Sequence, residues 1–221
     1  DLSNELFRCF LDESMTYSAG CFSADDSSLE GAQARKLKKL VEKAEISKDD
    51  HVLEIGCGWG SFAVAAAMEI GCRVTGVTLS KEQLSFARER VRALGLEDRV
   101  SLELCDYRNI KGRFDKIVSV EMIEAVGHEN LGAFFASCER LLKPGGKMVL
   151  QAITIIDEKY EAYRRRCDWI QKHIFPGGCL PSVGRLSEVV SRNSGLEFQS
   201  LETMGIDYAM TLKIWKDRFN S

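Results

Sequence analysis

VLEIGCGWG, residues 52–60, is the stretch of sequence that decides the fold. A short apolar run containing Glu54 passes straight into three glycines, Gly56, Gly58 and Gly60, and an alanine-rich segment follows. Glycine lets the backbone approach a ligand closely, and the N-terminus of a following helix offers free N–H groups to an anion. The stretch therefore predicts a strand, a ligand-binding turn and a helix, in that order.

The spacing of the glycines narrows the choice of ligand. Gly-x-Gly-x-Gly differs from the Gly-x-Gly-x-x-Gly of dinucleotide-binding turns, and the Lys and Ser/Thr of a phosphate-binding Walker loop are missing. An acid two residues before the first glycine suits S-adenosylmethionine, whose carboxylate can meet the amides of the turn. We therefore predict S-adenosylmethionine as the cofactor, with NAD as the second choice and a purely structural turn as the remaining alternative.

The rest of the chain alternates between two hydrophobic periodicities. Mostly continuous apolar runs predict strands buried on both faces, at His51–Gly56, Arg73–Leu79, Val100–Asp106, Lys116–Met122 and Lys147–Ile155. Helical patterns lie at Leu29–Ile46, Ser61–Ile70, Lys81–Leu94 and Glu129–Leu142. This order predicts an α/β fold, a doubly wound and mostly parallel sheet with right-handed crossovers.

We expect residues 1–221 to form a single domain in three parts. Residues 1–46 form an N-terminal helical segment, and residues 47–155 form the cofactor-binding sheet. Residues 156–221 hold a helical insertion that caps the strand ends as a substrate cap, then a sixth strand at Leu196–Met204 and a last helix at Tyr208–Phe219.

Composition excludes several classes of protein. The net charge is −3, from 30 basic and 33 acidic residues, so no basic field is available for a nucleic-acid partner. The longest apolar run, residues 62–68, falls far short of the roughly 20 residues that span a bilayer. The 8 cysteines include no C-x-x-C pair, so we predict free thiols, no metal site and a cytoplasmic location.

Polar residues stand where the second and third strands end. No acid that could hold ribose hydroxyls follows the second strand, so Thr78, Ser80 or Gln83 must supply that contact. Ser80 is equally suited to cap its helix. Asp106 is placed to accept a hydrogen bond from an adenine amino group, or to cap a turn.

With these motifs the chain resembles the cyclopropane-fatty-acyl-phospholipid synthase family of S-adenosylmethionine-dependent methyltransferases, and its plant-type members most closely. The resemblance covers nearly the whole chain in order, at residues 15–18, 52–60, 77–80, 105–108, 121–127, 174–182 and 208–215. Tyr17-Ser18, residues 174–178 and the Tyr-x-x-Thr-Leu-x-x-Trp of residues 208–215 are its most specific parts.

The resemblance implies a class I, Rossmann-like methyltransferase that adds a carbon to the cis double bond of a phospholipid acyl chain and closes a cyclopropane ring. It adds Tyr17, Ser18 and Tyr107 to the cofactor contacts. It also implies a bicarbonate ion as the base, held by Glu124, the Ile153 backbone and Tyr208, with Gln151 beside them.

Two positions depart from the family pattern. Ala19 stands where many relatives have a cysteine, and Gln151 where many bacterial relatives have a histidine. Methyl or methylene branching of the acyl chain therefore stays an alternative to ring closure. An amine N-methyltransferase is a further alternative. In that branch a histidine adjoins the glutamate, and Ala125 at this position counts against the alternative. A non-catalytic binding protein is the third class.

The expected partner is a phospholipid acyl chain at the membrane surface, with the enzyme peripheral to the membrane. Residues 164–166 are three arginines, either a solvated helix face or a contact to anionic headgroups. We also expect the chain to be a piece of a longer protein, because an antiparallel strand normally completes such a sheet. The edge left open without that strand would favour a homodimer.

Overall fold

A computed structural model describes residues 3–221. Its sheet contains β1 (His51–Ile55), β2 (Arg73–Thr78), β3 (Val100–Leu104), β4 (Phe114–Val120) and β5 (Leu142–Gln151). The five strands lie in the order β3-β2-β1-β4-β5, and every neighbouring pair is parallel. The predicted doubly wound α/β fold is confirmed.

Helices cover both faces of the sheet and the edge at which its strands end. In chain order they are α1 (Asn4–Arg8), α2 (Leu29–Ala44), α3 (Ser61–Glu69), α4 (Lys81–Ala93), α5 (Leu131–Leu141), α6 (Asp157–Tyr163), α7 (Trp169–His173), α8 (Val183–Asn193) and α9 (Gly205–Phe219). Within the described residues, none of these helices is both long and apolar enough to cross a membrane.

Two apolar clusters explain why the strands read as continuous hydrophobic runs. On one face, α2, α3 and α4 pack against the sheet through residues such as Leu37, Phe62 and Leu84. On the other face, α5 and α8 pack through residues such as Phe134 and Leu186. The inner strands β1, β2 and β4 are buried on both sides and so have few solvent-facing positions to fill with polar residues, whereas the edge strands β3 and β5 have several.

The fifth strand begins earlier than the sequence predicts. The helix predicted to reach Leu142 ends at Leu141, and β5 starts at Leu142, five residues before the predicted start at Lys147. Pro144 and the two glycines after it belong to β5, where the register against β4 shifts between Phe114 and Lys116. A bulged edge tolerates proline and glycine, which a regular central strand does not.

The predicted sixth strand at Leu196–Met204 is wrong. This segment has no regular secondary structure, and Phe198 and Leu201 are more than half exposed. Its Glu202 carboxylate instead forms ion pairs with Lys39 and Lys43 of α2. An apolar run becomes a strand only when it reaches a partner strand, and these ion pairs hold the segment across from β5.

A groove of about 1160 Å³ separates that segment from β5. Within residues 3–221, no strand pairs with the outer edge of β5. The antiparallel strand expected from the sequence is therefore absent from the described residues, and its supply by a longer chain stays a prediction. A homodimer through this edge also stays a prediction.

Candidate functional site

The carboxyl ends of the parallel strands meet at one edge of the sheet, and the N-terminal residues fold over that edge. The Trp59 indole donates a hydrogen bond to Asn4 Oδ1 at 2.7 Å and packs against Phe7, with 4.8 Å between ring centroids. Arg90 of α4 donates to the Ser14 carbonyl at 2.8 Å. Residues from the start of the chain thus cover this edge of the sheet.

The glycine turn after β1 has the geometry that a ligand-binding turn requires. Gly56 and Gly58 have φ angles of +85° and +52°, a region that disfavours other residues. The N–H groups of Gly56 and Cys57 both donate to the Val77 carbonyl, at 2.9 and 3.0 Å, which fixes the turn against β2. A Cβ atom on Gly58 would meet no atom within 4 Å, so one side of the turn is open.

Glu54 offers an acceptor beneath this turn. Its side chain is buried, and among the described residues its Oε2 atom has no hydrogen-bond partner. Burial raises the pKa of Glu54 well above its usual value, and the Lys36 ammonium partly opposes that shift. An open turn above an unsatisfied buried acceptor fits S-adenosylmethionine, which carries both a carboxylate and an ammonium group.

The ends of β2 and β3 bring the other predicted cofactor residues to the same edge. Thr78 Oγ1 donates to Gln83 Oε1 at 3.0 Å. Ser80 caps α4 by accepting from the Gln83 N–H at 3.2 Å, so its predicted capping role is observed. Asp106 caps a single 3-10 turn and pairs with Arg108 at 2.6 Å, which is the turn-capping alternative for this carboxylate.

Tyr107 and Tyr17 are held by aromatic packing. The Tyr107 ring contacts Phe134 of α5 edge-on, with centroids 5.3 Å apart. Tyr17 lies among Phe7, Phe10 and Trp215, at centroid distances of 5.1, 6.0 and 5.2 Å. Burial, followed by the negative charge of Glu121, raises the pKa of Tyr17.

Ser18 is buried, and its hydroxyl accepts a 2.5 Å hydrogen bond from Lys36 Nζ. Lys36 is itself fully buried on the apolar face of α2, and burial lowers its pKa to about 8. The negative charges of Glu121, Asp12 and Glu54 favour its ammonium form. The sequence prediction missed Lys36, although a lysine four residues after Ala32 and four before Leu40 falls on an apolar stripe.

Glu124 follows β4 in a short 3-10 turn, Ile123–Ala125. Its Oε1 atom accepts a 2.5 Å hydrogen bond from the Ile153 N–H. Among the described residues, its buried Oε2 atom has no hydrogen-bond partner. Burial raises the pKa of Glu124 to about 7; backbone hydrogen bonds oppose the shift, and the nearby Glu121 charge adds to it. The structure therefore brings together Glu124 and Ile153, two of the residues that the resemblance assigns to the bicarbonate ion.

Tyr208 lies in the first turn of α9, and hydrogen bonds fix this helix to the N-terminal residues. The Gly20 N–H donates to Thr211 Oγ1 at 3.1 Å, and the Phe22 N–H donates to Asp207 Oδ1 at 2.7 Å. Burial raises the pKa of Tyr208 to about 12, and the charge of Glu121 adds to that shift, as do Tyr17 and Glu124. The structure thus groups Tyr208 with the two glutamates.

Glu121 is the second residue that the sequence prediction missed. It directly follows β4 with a φ of +46°, a region that few non-glycine residues adopt. Its Oε1 atom accepts from the Ala19 N–H and from Gln151 Nε2, both at 2.9 Å. Gln151 also donates to the Ala19 carbonyl at 3.2 Å. Glu121 therefore links the ends of β4 and β5 to the N-terminal residues.

Glu124→Gln is expected to stabilise the fold at alkaline pH. Folding raises the pKa of this carboxyl from 4.5 to about 7, so its ionisation destabilises the folded state when the pH is above that range. At low pH the carboxyl is protonated in both the folded and the unfolded state, and it has no such effect. We expect the variant to gain about 1 to 3 kcal/mol in the free energy of unfolding at pH 8, and little at pH 4.5.

Urea unfolding at the two pH values measures this gain, with the exposed Glu129→Gln as the matched control. Equal stability of the variant and the wild type at pH 8 would show that Glu124 is well solvated in the folded protein.

Comparison with known proteins places this site in a family. The family model described as mycolic acid cyclopropane synthetase matches residues 1–221. Tuberculostearic acid methyltransferase UfaA1 of Mycobacterium tuberculosis is 44% identical over 99% of this chain and 53% of its own length. Cyclopropane-fatty-acyl-phospholipid synthase of Escherichia coli K12 is 41% identical, over 99% of this chain and 54% of its own. The chain thus spans about half the length of these relatives.

The fold is also similar to that of solved structures. Mycolic acid cyclopropane synthase CmaA1, complexed with SAH and CTAB, has a TM-score of 0.90 and 32% identity, covering 98% of this chain and 79% of the other. Coclaurine N-methyltransferase has a TM-score of 0.80 at 22% identity, covering 100% of this chain and 64% of the other, which shows a shared class I methyltransferase fold. The family resemblance found in the sequence is confirmed: the chain belongs to the mycolic acid cyclopropane synthetase family of S-adenosylmethionine-dependent enzymes.

Proposed function

We propose that the chain transfers a carbon from S-adenosylmethionine to the cis double bond of an unsaturated phospholipid acyl chain and closes a cyclopropane ring. The observation that carries the proposal is the position of Glu124 near Tyr208, at the edge that holds the glycine turn. Glu124 is a partly buried carboxylate, and one of its oxygens has no hydrogen-bond partner within residues 3–221. An alkene is a poor nucleophile, and its alkylation leaves a cation that needs a nearby negative charge and little water.

The residues of the glycine turn would hold the cofactor, which supplies an electrophilic methyl group. Glu124 would stabilise the cation through its Oε2 atom, which accepts no hydrogen bond from the part of the chain that the structure describes, because its other oxygen is held by Ile153. The Tyr208 hydroxyl keeps its proton at neutral pH and can donate a hydrogen bond to a neighbouring carboxylate. Neither group requires a metal ion.

The surface around α7 supports a lipid substrate. Four large apolar side chains there are each more than 40% exposed: Trp169, Ile170, Ile174 and Phe175. Exposed apolar groups of this size on one short segment are typical of a lipid or protein contact. The same segment reaches the site, because the Cys179 N–H donates to the Glu124 carbonyl at 2.7 Å and Phe175 lies 6.4 Å from Tyr17 between ring centroids.

Basic side chains border this surface. Arg165 and Arg166 are exposed at the end of α6, although Arg165 also pairs with Glu161 at 2.9 Å. Each basic residue near an anionic membrane contributes about 1 kcal/mol to binding. We therefore propose that the α7 surface meets the membrane, as a peripheral contact that presents the acyl chain to the site.

The test incubates the protein and S-adenosylmethionine, labelled in its methyl group, with vesicles of unsaturated phospholipid. Saturated phospholipid of the same headgroup is the matched control, and a mixture of small amines forms the third arm. Mass spectrometry should find a gain of one CH2 per modified chain in the unsaturated lipid alone. Label in the amines would favour the N-methyltransferase alternative. Cofactor binding without any transfer would favour a non-catalytic protein.

A further inference from the structure

The hydrogen-bond donors and charges of the site do not fit the bicarbonate ion that the family resemblance implies. Three donors that would face such an ion, at Ala19, Gln151 and Ile153, already donate to the protein's own carboxylates. The Ala19 N–H and the Gln151 amide donate to Glu121, and the Ile153 N–H donates to Glu124. An added anion would have to displace a carboxylate from its donors.

Charge also opposes a bound anion. Glu121 and Glu124 are close enough that the charge of Glu121 raises the pKa of Glu124. A third negative group between them would add repulsion from both sides. Among the described residues, the Lys36 ammonium favours the charged form of Glu121, and Lys36 Nζ also donates a hydrogen bond to Ser18 Oγ. The residues present therefore do not fit bicarbonate.

We propose that the Glu121 carboxylate stands in the place of that ion and serves as the base. This inference rests on the proposed function, because a base is needed only where a cation must lose a proton. Glu121 accepts from Ala19 and Gln151, the two positions at which this chain departs from the family pattern. The neutral amide of Gln151 and the backbone N–H of Ala19 thus both serve the Glu121 carboxylate.

The backbone of Glu121 supports this assignment. A glutamate with a φ of +46° is held in a conformation that favours glycine, at a cost of about 1 kcal/mol or more. Such an outlier persists only where the surrounding structure stabilises it. Here it turns the side chain across the end of β5 and into the wall of the groove that also contains Ile153 and Tyr208.

The chemical balance is as follows. The π pair of the acyl double bond forms a bond to the methyl carbon, and the pair of the broken carbon–sulfur bond stays on sulfur. The second alkene carbon is left as a cation. Glu121 removes one proton from the added methyl group, and the freed C–H pair forms the second bond of the ring. The carboxylate becomes a carboxylic acid, and burial favours that product by raising its pKa.

The test uses Glu121→Gly, which removes the carboxylate and suits the positive φ, and Glu121→Gln, which keeps the shape but not the base. Glu45→Gly is the matched control, because Glu45 is an exposed glutamate with a φ of +52° at the end of α2. Turnover on unsaturated phospholipid is measured in buffer free of carbon dioxide, with and without added bicarbonate.

The wild type and Glu45→Gly should be active without bicarbonate and unaffected by it. Glu121→Gly should lose about 100-fold or more in turnover and recover at least about tenfold with bicarbonate, whereas Glu121→Gln should lose activity without recovery. A wild type that requires bicarbonate, or a Glu121→Gly variant that stays active without it, would overturn the proposal.

A binding measurement keeps this test separate from the proposed function. By carbon-13 NMR with labelled bicarbonate, the wild type should show no bound ion, and Glu121→Gly should show saturable binding. If no lipid is modified by any variant, the proposed function fails, yet this result still decides whether Glu121 fills the anion position. Saturable bicarbonate binding by the wild type would refute the proposal that Glu121 occupies the place of the ion.

Discussion

Glu124→Gln is expected to lower turnover by about 100- to 1,000-fold while the affinity for S-adenosylmethionine changes by no more than about threefold. The amide can still accept the hydrogen bond from the Ile153 N–H, so the local structure is kept. What is lost is the negative charge on the oxygen that has no partner among the described residues. That charge acts when the cation forms, after the cofactor has bound.

Single-turnover kinetics and calorimetry separate the two effects, and Glu129→Gln serves as the control because Glu129 is exposed and close in sequence. Turnover should also fall as the pH drops through about 7, the pKa of Glu124, because the protonated acid cannot stabilise a cation. A variant with wild-type turnover would remove Glu124 from the mechanism.

Gly56→Val is expected to weaken S-adenosylmethionine binding by about 100-fold or more, which is about 2.7 kcal/mol. A Cβ atom at this position would lie 2.7 Å from Met122 Cγ and 2.9 Å from Met122 Cβ, closer than such atoms pack. The φ of +85° adds strain for any residue with a side chain. The turn must therefore move, and the N–H groups that would meet the cofactor move with it.

Gly95→Val is the matched control for this substitution. Gly95 also has a positive φ, of +65°, but a Cβ there would meet no atom within 4 Å, and it lies after α4, away from the strand ends. Calorimetry should show unchanged affinity for that variant. Gly56→Val with wild-type affinity, in a protein that still melts cooperatively, would mean that the cofactor does not use the turn.

Local sequence signals were sufficient for the sheet and the glycine turn. Continuous apolar runs and glycine spacing depend on neighbours within about ten residues, so β1 to β4 and the turn follow from them. The strand prediction at Leu196–Met204 is wrong because strand pairing is a long-range property. The composition of the segment suits a strand, but its Glu202 forms ion pairs with Lys39 and Lys43 on α2.

The sequence prediction missed two site residues for a related reason. Glu121 directly follows a buried strand, a position that more often holds a solvated turn residue, and its positive φ has no sequence signature. Its role depends on Ala19 and Gln151, which lie 102 and 30 residues away in the chain. Lys36 was detectable as a charged residue on the apolar stripe of α2, whereas its contact with Ser18 was not.

The most direct test of the central claim follows the transferred carbon itself. The protein is incubated with S-adenosylmethionine carrying a fully deuterated methyl group and with unsaturated phospholipid, and the acyl chains are analysed by mass spectrometry and NMR. Alkylation of the double bond followed by proton removal predicts a chain that has lost its double bond and carries a ring carbon with two deuterium atoms. Retention of all three deuterium atoms on the chain, or a labelled methyl group on nitrogen with the alkene intact, would contradict the account.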